Sequence, residues 1–485
     1  MFQFVTAAHP GGTKGKEEQG LIRRHAIRVG IQRKREANAQ KNRNFLPVEI
    51  DIKTGRPVKR KQAACATALT KPIAVSRLDP FDSLPGNGER LRTLMRQKSA
   101  KHAGEPVFCV GEAGKIFFQG MDTIFRSALS DPTLFHALSL ILALAANRDV
   151  PNVECLRHRG AVLKNLRARM SDQALVPQVS TLSAMLLLIG YEYRVDGSNA
   201  NSIAIHIRAV NDVVNLTKAS NVAISEVIGR ALFWQDVYSC LFVGTTRLLS
   251  HREYAGFRCI RDPGLSLTYI LPSGFLPIVP SLPSEFGVLL EDLSALCSFV
   301  DTRFGPSAVP IHEFPIDDFQ ACIESRIVDL LSESRSSKEA NPIYQACLFA
   351  AFLCTYKLST GIWEGCFIPE FCATQALELV SSTKDDPIWG NNRELLLWLL
   401  FVCGALAERR PIRLRAMVMI QSLFRDQVEG VHEEWIRLEG RLRTFIWSQH
   451  AMERRYRWFW EEMYPEKRVS KVEALYHDVA MRHAP

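Results

Sequence analysis

Residues 395–407 read LLLWLLFVCGALA and form the longest uncharged apolar run in the chain. As an α-helix this run would be about 20 Å long, whereas the hydrocarbon core of a bilayer is about 30 Å thick. A second apolar run, residues 134–146, is similar and contains His136. Because both runs are too short to span a bilayer, they predict helices buried in a protein core, and we expect no membrane partner.

The spacing of apolar residues becomes helical from about Val107 onward. Asp131 followed by Pro132 is a helix-start signal, with Asp at the cap and proline in the first turn. No run of β-branched residues with turn chemistry repeats, so we expect no sheet. The predicted fold class is therefore all-α, a body of packed helices. The predicted helices are 111–130, 132–146, 153–170, 178–193, 199–218, 225–249, 284–300, 317–334, 342–357, 370–382, 392–408, 411–426, 433–464 and 469–481.

The positive charge of the chain is concentrated near its start. Residues 1–61 contain 15 Lys and Arg against 5 Asp and Glu, a net charge of +10, whereas the whole chain carries +9. The other 424 residues therefore sum to −1. Such an asymmetry is expected of a segment that binds a polyanion, and we call residues 1–61 the basic arm.

A helix over residues 17–39 would place Arg24, Arg28 and Arg35 on one narrow stripe beside an apolar edge. Gly30 costs such a helix about 1 kcal/mol relative to alanine. The basic arm is therefore predicted to be disordered or partly helical and to become ordered on a partner. The alternative is a solvated basic tail. The residues predicted to contact DNA phosphates are Arg23, Arg24, Arg28, Arg33, Lys34 and Arg35.

The basic arm ends in RPVKRK, residues 56–61. A proline followed by a compact basic cluster is typical of a nuclear-import signal, here Lys59, Arg60 and Lys61. The alternative is a solvated charge cluster that no import receptor reads.

Composition divides the chain into the arm, a linker over residues 62–105 and a helical body over residues 106–485. The linker contains LDPFDSLP, residues 78–85, whose turns and prolines favour a locally ordered piece. Five prolines within residues 261–286 predict a long irregular connection. The body either continues across this connection or divides there.

Motifs of catalysis and metal binding are incomplete in this sequence. Residues 111–116, GEAGKI, look like the end of a phosphate-binding loop, but Cys109 replaces its first glycine and Ile116 its Ser or Thr. No two of the twelve cysteines have Cys-x2-Cys spacing, and His432 lacks a second histidine at zinc-binding spacing. We expect no enzyme activity, no cofactor and no metal, with the cysteines reduced and mostly buried.

Several single residues favour structural roles. His206 lies on a mostly apolar predicted helix, which is typical of an interior histidine. Asp236 is predicted to be a buried partner for an arginine or a helix end. Cys347 and Cys354 share a helix face at a spacing that core packing explains better than metal binding. A group of tryptophans near the C-terminus is predicted to form core or interface, namely Trp435, Trp447, Trp458 and Trp460.

Short motifs spread over nearly the whole chain resemble the fungal-specific transcription factor family. The resemblance is to its branch with a basic segment in place of the zinc cluster, sometimes labelled tachykinin-family proteins. The motifs are Phe2-x-Phe4-Val5 with Lys14, Arg24-His25-Ala26 before Arg33-Lys34-Arg35, residues 78–85, Gly197 with His206, Phe233-Trp234-x-Asp236, Trp398-Leu399-Leu400-Phe401-x-x-Gly404-Ala405, and Phe445-Ile446-Trp447.

The resemblance implies an all-helical regulatory domain, a nuclear location and control of transcription, which can be specific to one pathway or gene cluster. Two departures stand out, since this chain has no zinc cluster and carries Ile203 where relatives tend to have Trp. Two functions follow. In the first, the basic arm contacts DNA and the body contacts other transcriptional proteins. In the second, the protein is a helical scaffold or co-regulator that binds proteins only, with the arm as an import signal.

Overall fold

The computed structural model describes the helical body and the end of the linker. All regular structure in these residues is helical, which confirms the all-α prediction for the described part of the chain. The basic arm, residues 78–85 and the predicted helix 469–481 lie outside it, as does nearly all of the predicted helix 111–130. The described residues are 88–104, 128, 130–172, 174–195, 200–224, 226–248, 261, 268–304, 314–337, 341–358, 367–424 and 435–463.

Fifteen α-helices occur in these ranges, with 3-10 turns at Lys98–His102, Ser273–Phe275 and Val279–Ser281. The helices are α1 Gly88–Met95, α2 Pro132–Ala146, α3 Val153–Met170, α4 Val179–Val195, α5 Ala200–Ala219, α6 Glu226–Val243, α7 Ser284–Phe304, α8 Phe314–Ser336, α9 Pro342–Leu358, α10 Phe367–Ser382, α11 Ile388–Asn391, α12 Arg393–Leu406, α13 Arg410–Leu423, α14 Trp435–Leu442 and α15 Glu453–Met463.

The second apolar run forms α2, which packs against α1, α3 and α4. Its start confirms the Asp131-Pro132 signal. The Asp131 carboxylate accepts hydrogen bonds from the backbone N–H groups of Thr133 (2.9 Å) and Leu134 (3.1 Å). These bonds satisfy two donors that a helix start otherwise leaves free.

The first apolar run forms α12, which packs against α9, α10, α13 and α15. Every residue from Leu395 to Leu406 is buried, which confirms the prediction of a core helix. Trp398 stacks on Phe445 with 5.4 Å between ring centroids, and Phe275 meets its edge at 5.2 Å. Its indole N–H donates to the Ile446 carbonyl (3.4 Å), so the one polar group of this side chain is satisfied inside the core.

Ion pairs join helices on either side of residues 261–286. Arg230 of α6 contacts Asp318 of α8 at 3.1 Å. Arg247, which follows α6, donates to both carboxylate oxygens of Asp329 at 2.8 and 2.6 Å. Buried apolar residues from both sides belong to one continuous core, and Phe275 between them is fully buried. The proline-rich connection is therefore packed against the core where the structure describes it.

The prediction of one long helix over residues 433–464 is wrong, because the structure has two helices, α14 and α15. In the segment between them, Phe445 and Ile446 turn into the core. The Asp301 carboxylate at the end of α7 accepts hydrogen bonds from the Ser448 hydroxyl (2.6 Å) and the N–H groups of Gln449 (2.8 Å) and His450 (2.9 Å). These tertiary hydrogen bonds replace the ones that a continuous helix would make.

Helix α6 ends at Val243, six residues before the predicted end at 249. Gly244 follows with a φ of +77°, a left-handed conformation that glycine adopts without a steric penalty. A glycine in this conformation is a common way to end a helix. The predicted end was late because two leucines, Leu248 and Leu249, follow the polar residues after Gly244 and were assigned to the helix.

Helices α12 and α15 touch at Gly404. A Cβ atom built there would lie under 3.0 Å from three atoms of the Phe459 ring. Phe459 is fully buried and meets Phe401 edge-on at 5.4 Å, so the ring has little room to move. Glycine is thus required at this helix crossing.

We predict that Gly404→Ala lowers the free energy of unfolding by about 1–3 kcal/mol, the usual cost of overpacking a core. Gly440→Ala is the matched control, because Gly440 is exposed in α14 and a Cβ there meets nothing within 4 Å. The control is expected to gain about 0.5–1 kcal/mol from helix propensity. Urea denaturation of both variants measures this, and a stable Gly404→Ala protein would contradict the close contact.

Candidate functional site: polar groups and a basic face of the helical body

The residues predicted to contact DNA and to direct import all lie in the basic arm, outside the described residues. Arg23, Arg24, Arg28, Arg33, Lys34 and Arg35 therefore remain predictions, as do Lys59, Arg60 and Lys61. The polar groups that the structure does place lie in the helical body.

Asp236 is buried, as predicted, and it supports backbone structure beyond the end of α6. It lies in α6, and its two carboxylate oxygens accept from the backbone N–H of Leu248 at 3.1 and 3.0 Å. The carboxylate thus holds the segment that follows α6. His206 is half-buried on α5, and burial lowers the pKa of its imidazole.

Cys347 and Cys354 are fully buried in α9, and burial raises both thiol pKa values, that of Cys347 to about 12. Thiols with such pKa values are protonated at neutral pH and unreactive. Within the described residues, no three His, Cys, Asp or Glu side chains are grouped as metal ligands. In the same residues, no helix is both long and apolar enough to cross a membrane.

Glu324 is a fully buried acid on α8. One carboxyl oxygen accepts from the Gln320 side-chain amide (2.8 Å), and the other has no hydrogen-bond partner. Burial raises the pKa of this carboxyl to about 8, so it is mostly protonated at neutral pH. None of the sequence motifs pointed to Glu324. The signal was its position three, four and seven residues before Ile327, Val328 and Leu331, which places it on an apolar stripe.

Helix α3 is held to its neighbours by three of its charged side chains. These ion pairs are Arg90 of α1 with Glu154 (2.7 Å), Arg159 with Glu192 of α4 (2.8 Å), and Arg169 with Asp131 at the start of α2 (2.6 Å). A further contact to α2 joins the Nδ1 atoms of His136 and His158, 3.0 Å apart. Glu154, Glu192 and Asp131 are engaged in these ion pairs, whereas Asp172, just after the end of α3, is exposed.

Basic side chains are exposed on the outer side of α3. Arg157, Lys164 and Arg167 are exposed, and their side chains form no ion pair with a described residue. On a helical wheel they share an arc of about 100° with three exposed residues that carry no charge. We call this surface the basic face of α3: Val153, Leu156, Arg157, Gly160, Lys164 and Arg167.

The apolar periodicity predicted the bounds of α3 but not its basic face. The local sequence does not show which bases of α3 are paired with acids and which are exposed. These bases are Arg157, Arg159, Lys164, Arg167 and Arg169. The acids that neutralise two of them, Asp131 and Glu192, belong to other parts of the chain. The spacing of three and four residues between the exposed positions was the available signal.

We predict that Glu324 makes the protein less stable as the pH rises. Its pKa is 4.5 ordinarily and about 8 in the folded protein. Between these values the folded state binds more protons at Glu324 than the unfolded state, so the contribution of Glu324 to stability is greatest below pH 4.5 and is lost as pH rises through 8. The slope is up to about 1.4 kcal/mol per pH unit.

Glu324→Gln removes the titrating group. The free energy of unfolding of this variant, relative to that of the original protein, is therefore expected to be higher at pH 8 than at pH 5.5. Urea denaturation at these two pH values measures the difference. Glu285→Gln, at an exposed position of α7, is the control and is expected to leave the pH dependence unchanged. Parallel curves for Glu324→Gln and the original protein would count against a protonated Glu324.

One comparison with known proteins identifies a family. The family model of the fungal-specific transcription factor domain matches residues 107–439, more than half of the chain. No curated protein and no solved structure matches the chain. The matched segment contains α2 to α13 and most of α14, and it confirms the resemblance seen in the sequence motifs. The chain therefore belongs to the fungal-specific transcription factor domain family, and this membership supports a role in the regulation of transcription.

Proposed function

We propose that this protein is a nuclear regulator of transcription whose basic arm contacts DNA and whose helical body mediates regulation through protein contacts. The observation that carries the proposal is the charge distribution, with +10 in residues 1–61 and −1 in the other 424. Family membership supports the regulatory role. A net positive segment attached to a nearly neutral body suits binding to the phosphate backbone.

In this proposal the arm binds along the DNA, either as a helix or as an extended segment. Arg24, Arg28 and Arg35 contact phosphates together with Arg23, Arg33 and Lys34. Base reading, where it occurs, comes from one or two of these arginines, because the guanidinium group pairs with two acceptors of guanine.

A second candidate function is a co-regulator that binds other transcriptional proteins and no DNA. The observation that favours it is the cysteine spacing, since no Cys-x2-Cys pair is present to build a zinc cluster for base recognition. In this case the arm serves as an import signal. Neither candidate function includes catalysis or a cofactor.

For import, we predict that changing Lys59, Arg60 and Lys61 together to Ala leaves a fluorescent fusion of the protein largely cytoplasmic, because the receptor reads a compact basic cluster. Changing Lys41, Arg43 and Lys53 to Ala removes the same charge elsewhere in the arm and is expected to keep the fusion nuclear. Unchanged nuclear accumulation would shift the signal to residues 33–35, and import without either cluster would end the proposal.

For DNA, we predict an affinity that falls steeply with salt. Neutralising about 6 phosphates gives a log–log slope of about −5, and changing Arg24, Arg28 and Arg35 to Ala flattens this slope by about 2.7. If one of these arginines reads guanine, the loss on a preferred site is larger by about 1–3 kcal/mol.

Anisotropy titrations of labelled duplex DNA with the full chain measure both effects. The control is a chain in which residues 17–43 are shuffled, so that charge is equal and the arginine stripe is lost. Binding no tighter than this control, together with no effect of the triple substitution, would exclude DNA reading by the arm and favour the co-regulator.

A further inference from the structure

We propose that the basic face of α3 is a docking surface for an acidic, apolar-rich peptide segment of a partner protein. This site lies in the helical body and is independent of whether the arm binds DNA. Three properties of the surface support it, namely unpaired positive charge, exposed apolar side chains and an uncovered glycine.

The positive charge on this face is available to a partner. Arg157, Lys164 and Arg167 lie on one side of the helix, and the neighbouring acids Glu154, Glu192 and Asp131 are engaged with other arginines. Positions 157 and 164 are seven residues apart, about 10.5 Å along the axis. Two carboxylates at a similar separation on a partner helix would match them, and such complementarity gives both speed and specificity of binding.

Apolar side chains lie at the end of the same face where α3 begins. Val153 is 63 % exposed and Leu156 58 %, and Val150 just before the helix is 60 % exposed. Contiguous exposed apolar residues rimmed by charge are typical of a protein interaction site. A purely ionic partner would leave these side chains without a contact, because Val and Leu gain nothing from a phosphate group.

Gly160 lies between these two parts of the face. It is exposed in the middle of α3, and a Cβ built on it meets nothing within 4 Å. A glycine inside a helix lowers helix stability relative to alanine. The fold offers no packing reason for it, in contrast to Gly404. A partner that lies close against the backbone of α3 between Arg157 and Lys164 would provide that reason.

An acidic peptide fits these observations better than DNA does. Contacts to phosphate come from hydrogen-bond donors and cations, and they leave Val153 and Leu156 unused. An amphipathic peptide helix with Asp or Glu beside Leu or Phe engages both parts of the face.

The test uses the full chain and a labelled synthetic peptide in which Asp and Glu are interspersed with Leu and Phe at helical spacing. Arg157→Glu combined with Lys164→Glu is expected to weaken binding of this peptide about tenfold or more, because two attractive contacts become repulsive. Lys384→Glu combined with Arg454→Glu makes the same charge change at exposed positions elsewhere and is expected to have little effect.

Substitutions of Gly160 change no charge. They therefore distinguish binding at a specific site on α3 from non-specific attraction of the acidic peptide to the basic arm. Gly160→Gln is expected to weaken peptide binding about as strongly as the double reversal, with no loss of melting temperature. Gly160→Ala, the small counterpart, is expected to raise the melting temperature and to retain more of the binding. A peptide with Ser in place of Leu and Phe is expected to bind weakly to every variant.

Two outcomes would overturn the proposal. Equal loss of binding in the double reversal and in its control would show that only net charge matters. Loss of duplex DNA binding in the double reversal, with peptide binding intact, would make the face a nucleic-acid surface. The triple arginine substitution in the arm leaves the face unchanged, so failure of the arm to bind DNA does not affect this test.

Discussion

Four helices of this protein, α2, α4, α9 and α12, are buried on nearly every side, and this requirement shapes the whole body. A helix without a polar face has to be covered all round by other elements. Helix α2 is covered by α1, α3 and α4, whereas α12 is covered by α9, α10, α13 and α15. Among the described helices, the amphipathic ones therefore take the outer positions and expose one side to solvent.

Close packing makes this arrangement specific. Because α12 has no polar stripe to orient it, its rotation depends on the fit of individual side chains, such as the Trp398 ring against Phe445 and the Gly404 backbone against Phe459. Both contacts involve residues beyond 439, where the family match ends. The folded unit thus extends past the matched segment to Met463, and a chain cut at 439 would expose the inner side of α12.

Charge follows a different rule from apolar surface. A buried charge needs a partner, and the body meets this need with arginine–carboxylate pairs between helices, as in Arg230–Asp318 and Arg169–Asp131. Glu324 meets the same constraint by keeping its proton. On α3 the bases that face neighbouring helices, Arg159 and Arg169, are paired with acids, whereas those of the basic face are exposed to solvent.

The family match and the charge of the arm bear on different parts of the function. The match lies in the helical body and supports a regulatory role in transcription. Contact with DNA, in our proposal, depends on residues that precede the match. In our proposals the body binds acidic partners through α3, and the arm binds DNA. These two functions use different residues, so substitutions can remove one and leave the other.

The sequence by itself determined the all-α class and the bounds of α2 and α3, because apolar periodicity and capping residues act within a few turns. It also determined that α12 is a core helix, because thirteen uncharged apolar residues leave no side for water. The position of the +10 charge is likewise a property of sequence alone.

Only the tertiary structure decided the features that depend on distant residues. The break between α14 and α15 depends on Asp301, about 150 residues earlier in the chain. Its carboxylate accepts hydrogen bonds from backbone N–H groups of the turn between the two helices. The raised pKa of Glu324 depends on helices that surround α8. Which bases of α3 are neutralised depends on Asp131 and Glu192, which pair with Arg169 and Arg159, whereas the bases of the basic face stay exposed. Local sequence carries the propensity of each residue, whereas its partner is set by how the helices pack.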